Sequence, residues 1–513
     1  MTVTALEAIG LSFGGKWQYG GEIDRSEQLF SGTESIVSMG DHPNILLVIL
    51  DSVRASNLGL YGHDAANTPF LEEFAEEASV FTQARSPGIH SIASHVSLFT
   101  GYSVPAHQVT QYSAQITSGH TIWETLQDEY GYETGLFTPN VIVSESSNLS
   151  EFFQTVVGPK NTKFRKGLQP GEIEDWDHKH TEFIKRSLID EHPIRSLLNG
   201  VYSKLYTPDN QRDFDEYVTA FDSWVGDTTG SWAACINLMD AHYPYDPRPE
   251  HDQWGGPELR DMHKSISYGP QAPQFVSGKN PWWKLKAFEA LYDGAIHQLD
   301  TGLRELIALL RRKSEFEDTF IVITSDHGEG FGETSRLATD VRLIDHGWGI
   351  GERLTHVPLI VKEPGQERGE TVKRLAQIRH FPSAVEAAIS GENGYKEFIP
   401  ADGETSATTY RIEDDTNELL NNVNTPENYL GPWHAEYRQK EESIEKTMVK
   451  RGSNGVRIRI NRNGEVQTLE NDMDIDVSDF VEGVERSRLA RQEDDSGISE
   501  DVANQLNELG YIE

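Results

Sequence analysis

The chain has 513 residues, 37% of them hydrophobic, which is enough for one large α/β domain and a smaller companion around a buried core. Asp and Glu number 82 against 45 Lys and Arg, a formal net charge of -37, and this argues against nucleic acid or an anionic membrane surface as a partner. Spread along the whole chain with no single acidic tail, the charge is what a halophile's protein needs in concentrated salt, the plainer reading being an acidic soluble protein.

Residues 1–42 read as a Gly-rich polar leader. It lacks a basic start followed by an apolar core, and no apolar run in the chain is long enough to span a bilayer, so a cytoplasmic protein with no membrane anchor is expected. From residue 43 apolar runs alternate with helical patterns: "NILLVIL", "TPFLEEFAEEASVF", "TIWETLQDEY", "ETGLFT", "SWAACINLM", "LKAFEALYDGAIHQLDTGLRELIALLRR", "DTFIVITS" and "HVPLIV". This alternation predicts an α/β domain over 43–365, a parallel sheet with helices on both faces. "NILLVIL" and "FIVIT" lack period-two polarity and belong in the middle of that sheet. Cys235, the only cysteine, sits in an apolar run and reads as a buried structural thiol. Residues 144–222 loosen into polar helices, an expected insertion over one sheet edge. Residues 366–513 read as a small C-terminal α+β subdomain, with a hairpin turn at Asn463 and Gly464 and a docking helix in the last stretch, "ISEDVANQLNELGYIE".

Ligands of open parallel sheets bind beyond the carboxyl ends of the strands, and four such ends carry polar clusters. The first supplies Asp51, "TFIVITSDHGEGFGE" supplies Asp326 and His327, "INLMDAHYPY" supplies Asp240 and His242, and "IDHGWG", read as a mobile Gly-rich loop, supplies His346. Carboxylates beside buried strands need a partner. Two acids and an imidazole at one edge suit a divalent cation, with Mg, Ca, Mn and Zn all compatible. Ser91 precedes a helical pattern, at the positive end of the helix dipole, and a hydroxyl there beside a cation could attack phosphorus or sulfur. Its plainer role is an N-cap. Arg54 could steer an anion or pair with a nearby acid, and His95 would share the helical face of Ser91. His90 and His107 read as structural, and Asp293 and His297 as a solvated or capping face of an amphipathic core helix.

The pieces "PNILLVILDSVRASNLGLYG", "TPFLEEFAEEASVFTQA", "SLFTGYSVPAHQV", "MDAHYPY", "YDGAIHQLDTGLREL", "TSDHGEGFGE" and "HVPLIV" stand in the order found in the sulfatase family of the alkaline-phosphatase-like superfamily, which the chain resembles from about Pro43 to Val361. The tail "LNELGYIE" is similar to family C-termini as well. The resemblance implies an alkaline-phosphatase-like three-layer sandwich with a mostly parallel central sheet. It implies Asp51, Asp326 and His327 as metal ligands, Ser91 as the metal-bound nucleophile, and His242 and His346 contacting the anionic ester or protonating its leaving group. Arg54 and His95 are then substrate-binding candidates, and the substrate a small-molecule or glycan sulfate or phosphate ester.

The chain also departs from the family. Members that work through formylglycine carry Cys or Ser followed two and four residues later by Pro and Arg, where this chain has Ala93 and His95 after Ser91. Ser52 stands where a second Asp is usual, and "LFTPNVIVS" replaces a segment that brings a sulfate-holding lysine. An unmodified nucleophile is similar to the phosphoglycerol transferases of the superfamily, so phosphotransfer is one alternative to hydrolysis. A non-catalytic relative that binds anionic glycans is the other.

Overall fold

A computed structural model describes residues 42–159, 187, 214–266, 271–410 and 423–490, a few single positions within these ranges excepted. The expected leader, most of the 144–222 insertion, Asn463 and the last stretch lie outside the described residues.

Eight strands form the main sheet, ordered β10-β2-β9-β6-β1-β5-β3-β4. They are β1 (Asn44–Leu50), β2 (Ser79–Arg85), β3 (Glu133–Phe137), β4 (Thr155–Val157), β5 (Trp232–Leu238), β6 (Thr319–Thr324), β9 (Leu359–Lys362) and β10 (Glu370–Gln377). All run parallel except β9, which is antiparallel to both neighbours. β1 is buried along its whole length. Its side chains alternate between two cores: Leu46, Val48 and Leu50 face one, and Ile45, Leu47 and Ile49 the other, which is why the run shows no polar alternation.

Helices cover both faces. The first core takes α1 (Pro69–Phe74), α3 (Phe214–Asp227) and the long α4 (Trp282–Lys313); the second takes α2 (Ser91–Thr100) and α5 (Phe381–Ile389). A second sheet, antiparallel and ordered β11-β12-β13-β14-β15, is built from β11 (Glu404–Thr409), β12 (Trp433–Gln439), β13 (Ser443–Lys450), β14 (Gly455–Asn461) and β15 (Val466–Met473). The architecture is thus the expected α/β sandwich around a mostly parallel sheet, with a separate antiparallel C-terminal sheet.

Four details differ from the sequence reading. The main sheet runs past residue 365, because β10 pairs in parallel with β2 and α5 packs into the second core. β10 is half exposed and carries charges, so its composition hides its place in the sheet. Within the expected insertion, β4 extends the sheet and α3 buries Phe214, Tyr217 and Phe221. Asp293 is buried and accepts from Asn57 Nδ2 at 2.9 Å, with His63 Nε2 at 3.1 Å, so it is not a solvated face. Finally, His346 follows a strand: β7 (Gly330–Thr334) and β8 (Arg342–Asp345) form a two-stranded ladder with Phe331 opposite Ile344. The approach is close enough that a Cβ on Gly330 would lie 2.9 Å from Asp345 O and Leu343 C, so this Gly-rich segment pairs only as glycine.

Candidate active site

The register of the central strands brings the acids together. Ile49 of β1 lies beside Thr324 of β6, so Asp51 and Asp326, each two residues further on, leave the same edge side by side. Ile49 also lies beside Asn237 of β5. β2 runs in the same direction and leads to α2, whose first residue is Ser91. His242 follows β5, and His346 follows β8.

Asp51 and Asp326 are fully buried. Asp51 Oδ2 accepts from Asn140 Nδ2 at 2.9 Å and from Asn237 Nδ2 at 3.2 Å, and its Oδ1 accepts from Ser52 Oγ at 3.0 Å. Burial and the neighbouring Asp326 charge push its carboxyl well above the usual range. Asp326 Oδ1 accepts from the backbone N–H of Ser52 and of His327. Its Oδ2, buried, makes no well-formed hydrogen bond and faces His327 Nε2 at 3.4 Å and His95 Nδ1 at 3.7 Å. Burial would raise Asp326, but the His327 and His95 imidazoles hold it below the ordinary value.

His327 Nδ1 donates to Gly328 O at 3.0 Å, which leaves Nε2 as the lone-pair nitrogen. Nε2 lies 3.3 Å from Ser91 Oγ. Burial pushes the ring down to about 4 against the pull of Asp326, so it stays neutral at working pH. Ligand atoms of Asp51, Asp326 and His327 all lie within 4.8 Å of one another. Two carboxylates, one of them with a buried oxygen in no well-formed hydrogen bond, and one neutral imidazole nitrogen fit a divalent cation of the oxygen-preferring or borderline kind.

Around this group stand three more imidazoles. The His346 ring lies 4.3 Å from His327 and 5.2 Å from His242, with His90 at 6.4 Å. Burial holds His346 down at about 4, and burial with the two neighbouring rings lowers His90 well below its usual range. His346 Nδ1 lies 3.6 Å from Glu329 Oε2. Ser91, 2% exposed, heads a ten-residue helix, so its hydroxyl sits at the positive end of the dipole.

Two expected substrate contacts are placed otherwise. Arg54 is buried under Phe331, with its guanidinium held by Glu289, Glu333 and Asn57 and by Glu329 O; an interior cation needs those carboxylates, and this explains its orientation. His95 is fully buried in α2, donates through Nδ1 to Ser91 O at 2.8 Å, and lies 3.7 Å from Asp326 Oδ2. Sequence reading missed Asn140, Asn237 and Glu329, and read His90, which stands beside His346, as structural. The one usable signal for Asn140 was its position just after β3, at the same sheet edge as the acids.

The sulfatase family profile matches residues 43–389. Arylsulfatase K of Bos taurus is 21% identical over 417 residues, 78% of this chain and 70% of its own length. The chain spans between 58% and 70% of the length of the first curated relatives it matches. Among solved structures, the phosphonate monoester hydrolase of Agrobacterium radiobacter superposes with a TM-score of 0.54 at 16% identity, covering 81% of this chain and 89% of its own. A protein solved with its substrate D-glucosamine-2-N,6-O-disulfate gives 0.55 at 12% identity, over 83% and 93% of the two chains. Among the described residues, no helix is long and apolar enough to cross a membrane.

Proposed function

The chain belongs to the sulfatase family, and from that premise we propose that it hydrolyses a sulfate ester, or a phosphorus ester of similar shape, through Ser91. The observation that carries the reading is the placement of Ser91 Oγ 3.3 Å from His327 Nε2, beside two buried carboxylates at one sheet edge. Asp51, Asp326 and His327 would hold a divalent cation. When bound, it would neutralise the paired acids and favour the ionised form of the serine hydroxyl.

The chain's own groups supply the rest. Ser91 Oγ attacks the sulfur or phosphorus as its proton passes to His346 or His242, the bond to the alcohol oxygen breaks, and the departing alkoxide takes that proton back. Water then displaces the anion from the serine ester by attack at sulfur or phosphorus, which regenerates the hydroxyl. The dipole of α2 favours the charge that develops at Ser91. Burial of Ser91, His242 and Asp326 keeps bulk water out and strengthens each of these interactions. The arylsulfatase and phosphonate hydrolase relatives support both sulfate and phosphorus esters as substrates, and the lack of a formylglycine motif around Ser91 leaves the unmodified hydroxyl as the nucleophile.

The test is turnover of p-nitrophenyl sulfate, p-nitrophenyl phosphate and a p-nitrophenyl phosphodiester, with Mg, Ca, Mn or Zn. High salt suits a surface of net charge -37. A metal-dependent rate that vanishes in Ser91→Ala is expected. A metal-binding protein inert on all three esters, or a variant as active as the wild type, would sink the reading.

A further inference from the structure

The loop that carries His346 does not fix its shape by local bonds alone. It reads His346-Gly-Trp-Gly-Ile-Gly-Glu352, with glycine at 347, 349 and 351, and each glycine widens the range of backbone conformations open to it. Local turns such as Gly347 N–H to Ile344 O at 3.2 Å bend it, and further restraints come from elsewhere in the chain.

Lys446, on β13 of the C-terminal sheet, is fully buried. Its ammonium donates to Ile350 O at 2.6 Å and to Glu352 Oε1 at 2.9 Å, and it lies 4.8 Å from the centre of the Tyr437 ring. Glu352 uses its other oxygen, Oε2, to accept from Arg85 at the end of β2, at 2.8 Å. Tyr437 hydroxyl meets Thr355 Oγ1 at 2.6 Å. At the loop's middle, Trp348 Nε1 donates to Arg342 O at 3.0 Å, and its ring sits edge-on to Tyr429 at 5.0 Å. Tyr429 and Lys446 both belong to the C-terminal region, so that region grips the loop at two points.

We propose that the C-terminal sheet is part of the site's machinery, with Lys446 as the positioning residue that sets where His346 stands. A buried ammonium is a demanding group to keep in the interior, and its bonds are geometric as well as electrostatic. It ties the carbonyl four residues after His346 and the carboxylate six residues after it to one rigid strand. With that tie released, the imidazole can drift from its tilted contact with the His327 ring at 4.3 Å while the cation ligands, just beyond the ends of β1 and β6, stay in place.

The catalytic arm of the test rests on the reading of the site given above; the exchange arm does not. Lys446→Met keeps most of the side-chain bulk and removes the three donors. Arg459→Gln, at a half-buried ion pair of the same sheet that does not touch the loop, is the control. The expected result for Lys446→Met is a kcat lower by about ten- to a hundredfold, the size of effect that a displaced catalytic group produces, with KM and bound metal within about twofold of the wild type. Backbone hydrogen exchange over 347–351 should accelerate while β1 and β6 stay protected. Tyr429→Leu, a milder change, should shift both readouts in the same direction and decides the matter if Lys446→Met does not fold. Wild-type kcat with wild-type loop protection would overturn the inference. So would loss of protection across the main sheet, which would make Lys446 a fold residue only. If the wild type turns over no ester, the functional reading fails, while exchange over 347–351 still decides whether Lys446 holds the loop.

Discussion

Asn140 Nδ2 donates to Asp51 Oδ2 at 2.9 Å, and Asn140 Oδ1 accepts from the backbone N–H of Ile142 at 2.9 Å. The amide is therefore held by its own loop and in turn aims the carboxylate. Groups that orient metal ligands typically contribute 10–100-fold to affinity. Asn140→Ala should weaken metal binding by about that factor, as measured by calorimetric titration of the stripped protein, with Asn237→Ala having a smaller effect because its bond is longer. Equal affinity in Asn140→Ala and wild type would show that Asp51 is fixed by its strand alone.

The two buried acids predict opposite signs with and without metal. In the stripped protein Asp51 and Asp326 repel, and burial adds to the cost of their charge. Asp51→Asn should therefore raise the Tm of the stripped protein, while chelator should lower the Tm of the wild type and leave the variant unmoved. At metal a hundredfold above Kd the wild type gains about 2.7 kcal/mol, a gain the variant should lack. Differential scanning fluorimetry with and without chelator reads both signs.

How far the sequence announces all this depends on burial. Strands such as Asn44–Leu50 and Thr319–Thr324 are covered on both faces, so their apolar runs stand out, and an acid directly after such a run is conspicuous. Asp51, Asp326 and His327 stand out as candidates for that reason, and His242 because it follows a neighbouring strand, whereas His346 stands out only through the Gly-rich segment that carries it. Asn140 and Asn237 were not. A neutral amide has no unusual burial cost once bonded, and Asn237 reads as one more residue of an apolar strand. β10 was illegible because an edge strand that mixes Lys373 and Arg374 with Leu375 has no core-like pattern. Arg54 misled for the opposite reason: a cation near a candidate anion site suggests an anion contact, and only the fold brings in Glu289 from α4 and Glu333 from β7.

Stability in acid should depend on Glu352. Burial alone would raise its carboxyl, but the charges of Arg85 and Lys446 hold it down at about 2 against an ordinary 4.5. A depressed carboxyl contributes stability that is complete above about 4.5 and disappears as pH falls toward 2. The difference corresponds to about 3 kcal/mol. Urea midpoints at pH 7 should place Glu352→Gln well below the wild type, and the gap should narrow steadily between pH 4.5 and pH 3. A gap that stays constant over that range would assign the loss to packing instead of charge.

Arg54 gives the clearest separation of a structural from a substrate role. Its guanidinium, 1% exposed, bridges Glu289 and Glu333, so Arg54→Met leaves two poorly solvated carboxylates without their cation. Breaking a buried pair in this way typically destabilises by about 3–5 kcal/mol. Neutralising one of the stranded acids as well, in Arg54→Met with Glu289→Gln, should recover part of that loss, because the penalty comes chiefly from the unpaired charge. KM for the ester should stay within about twofold in every variant that folds, since the guanidinium is engaged by Asn57, Glu329 O, Glu333 and Glu289. A residue that held the substrate anion would behave the other way, with KM rising steeply, stability little changed, and no recovery from the Glu289 substitution. Denaturation midpoints and steady-state kinetics on the same three proteins therefore distinguish the two roles.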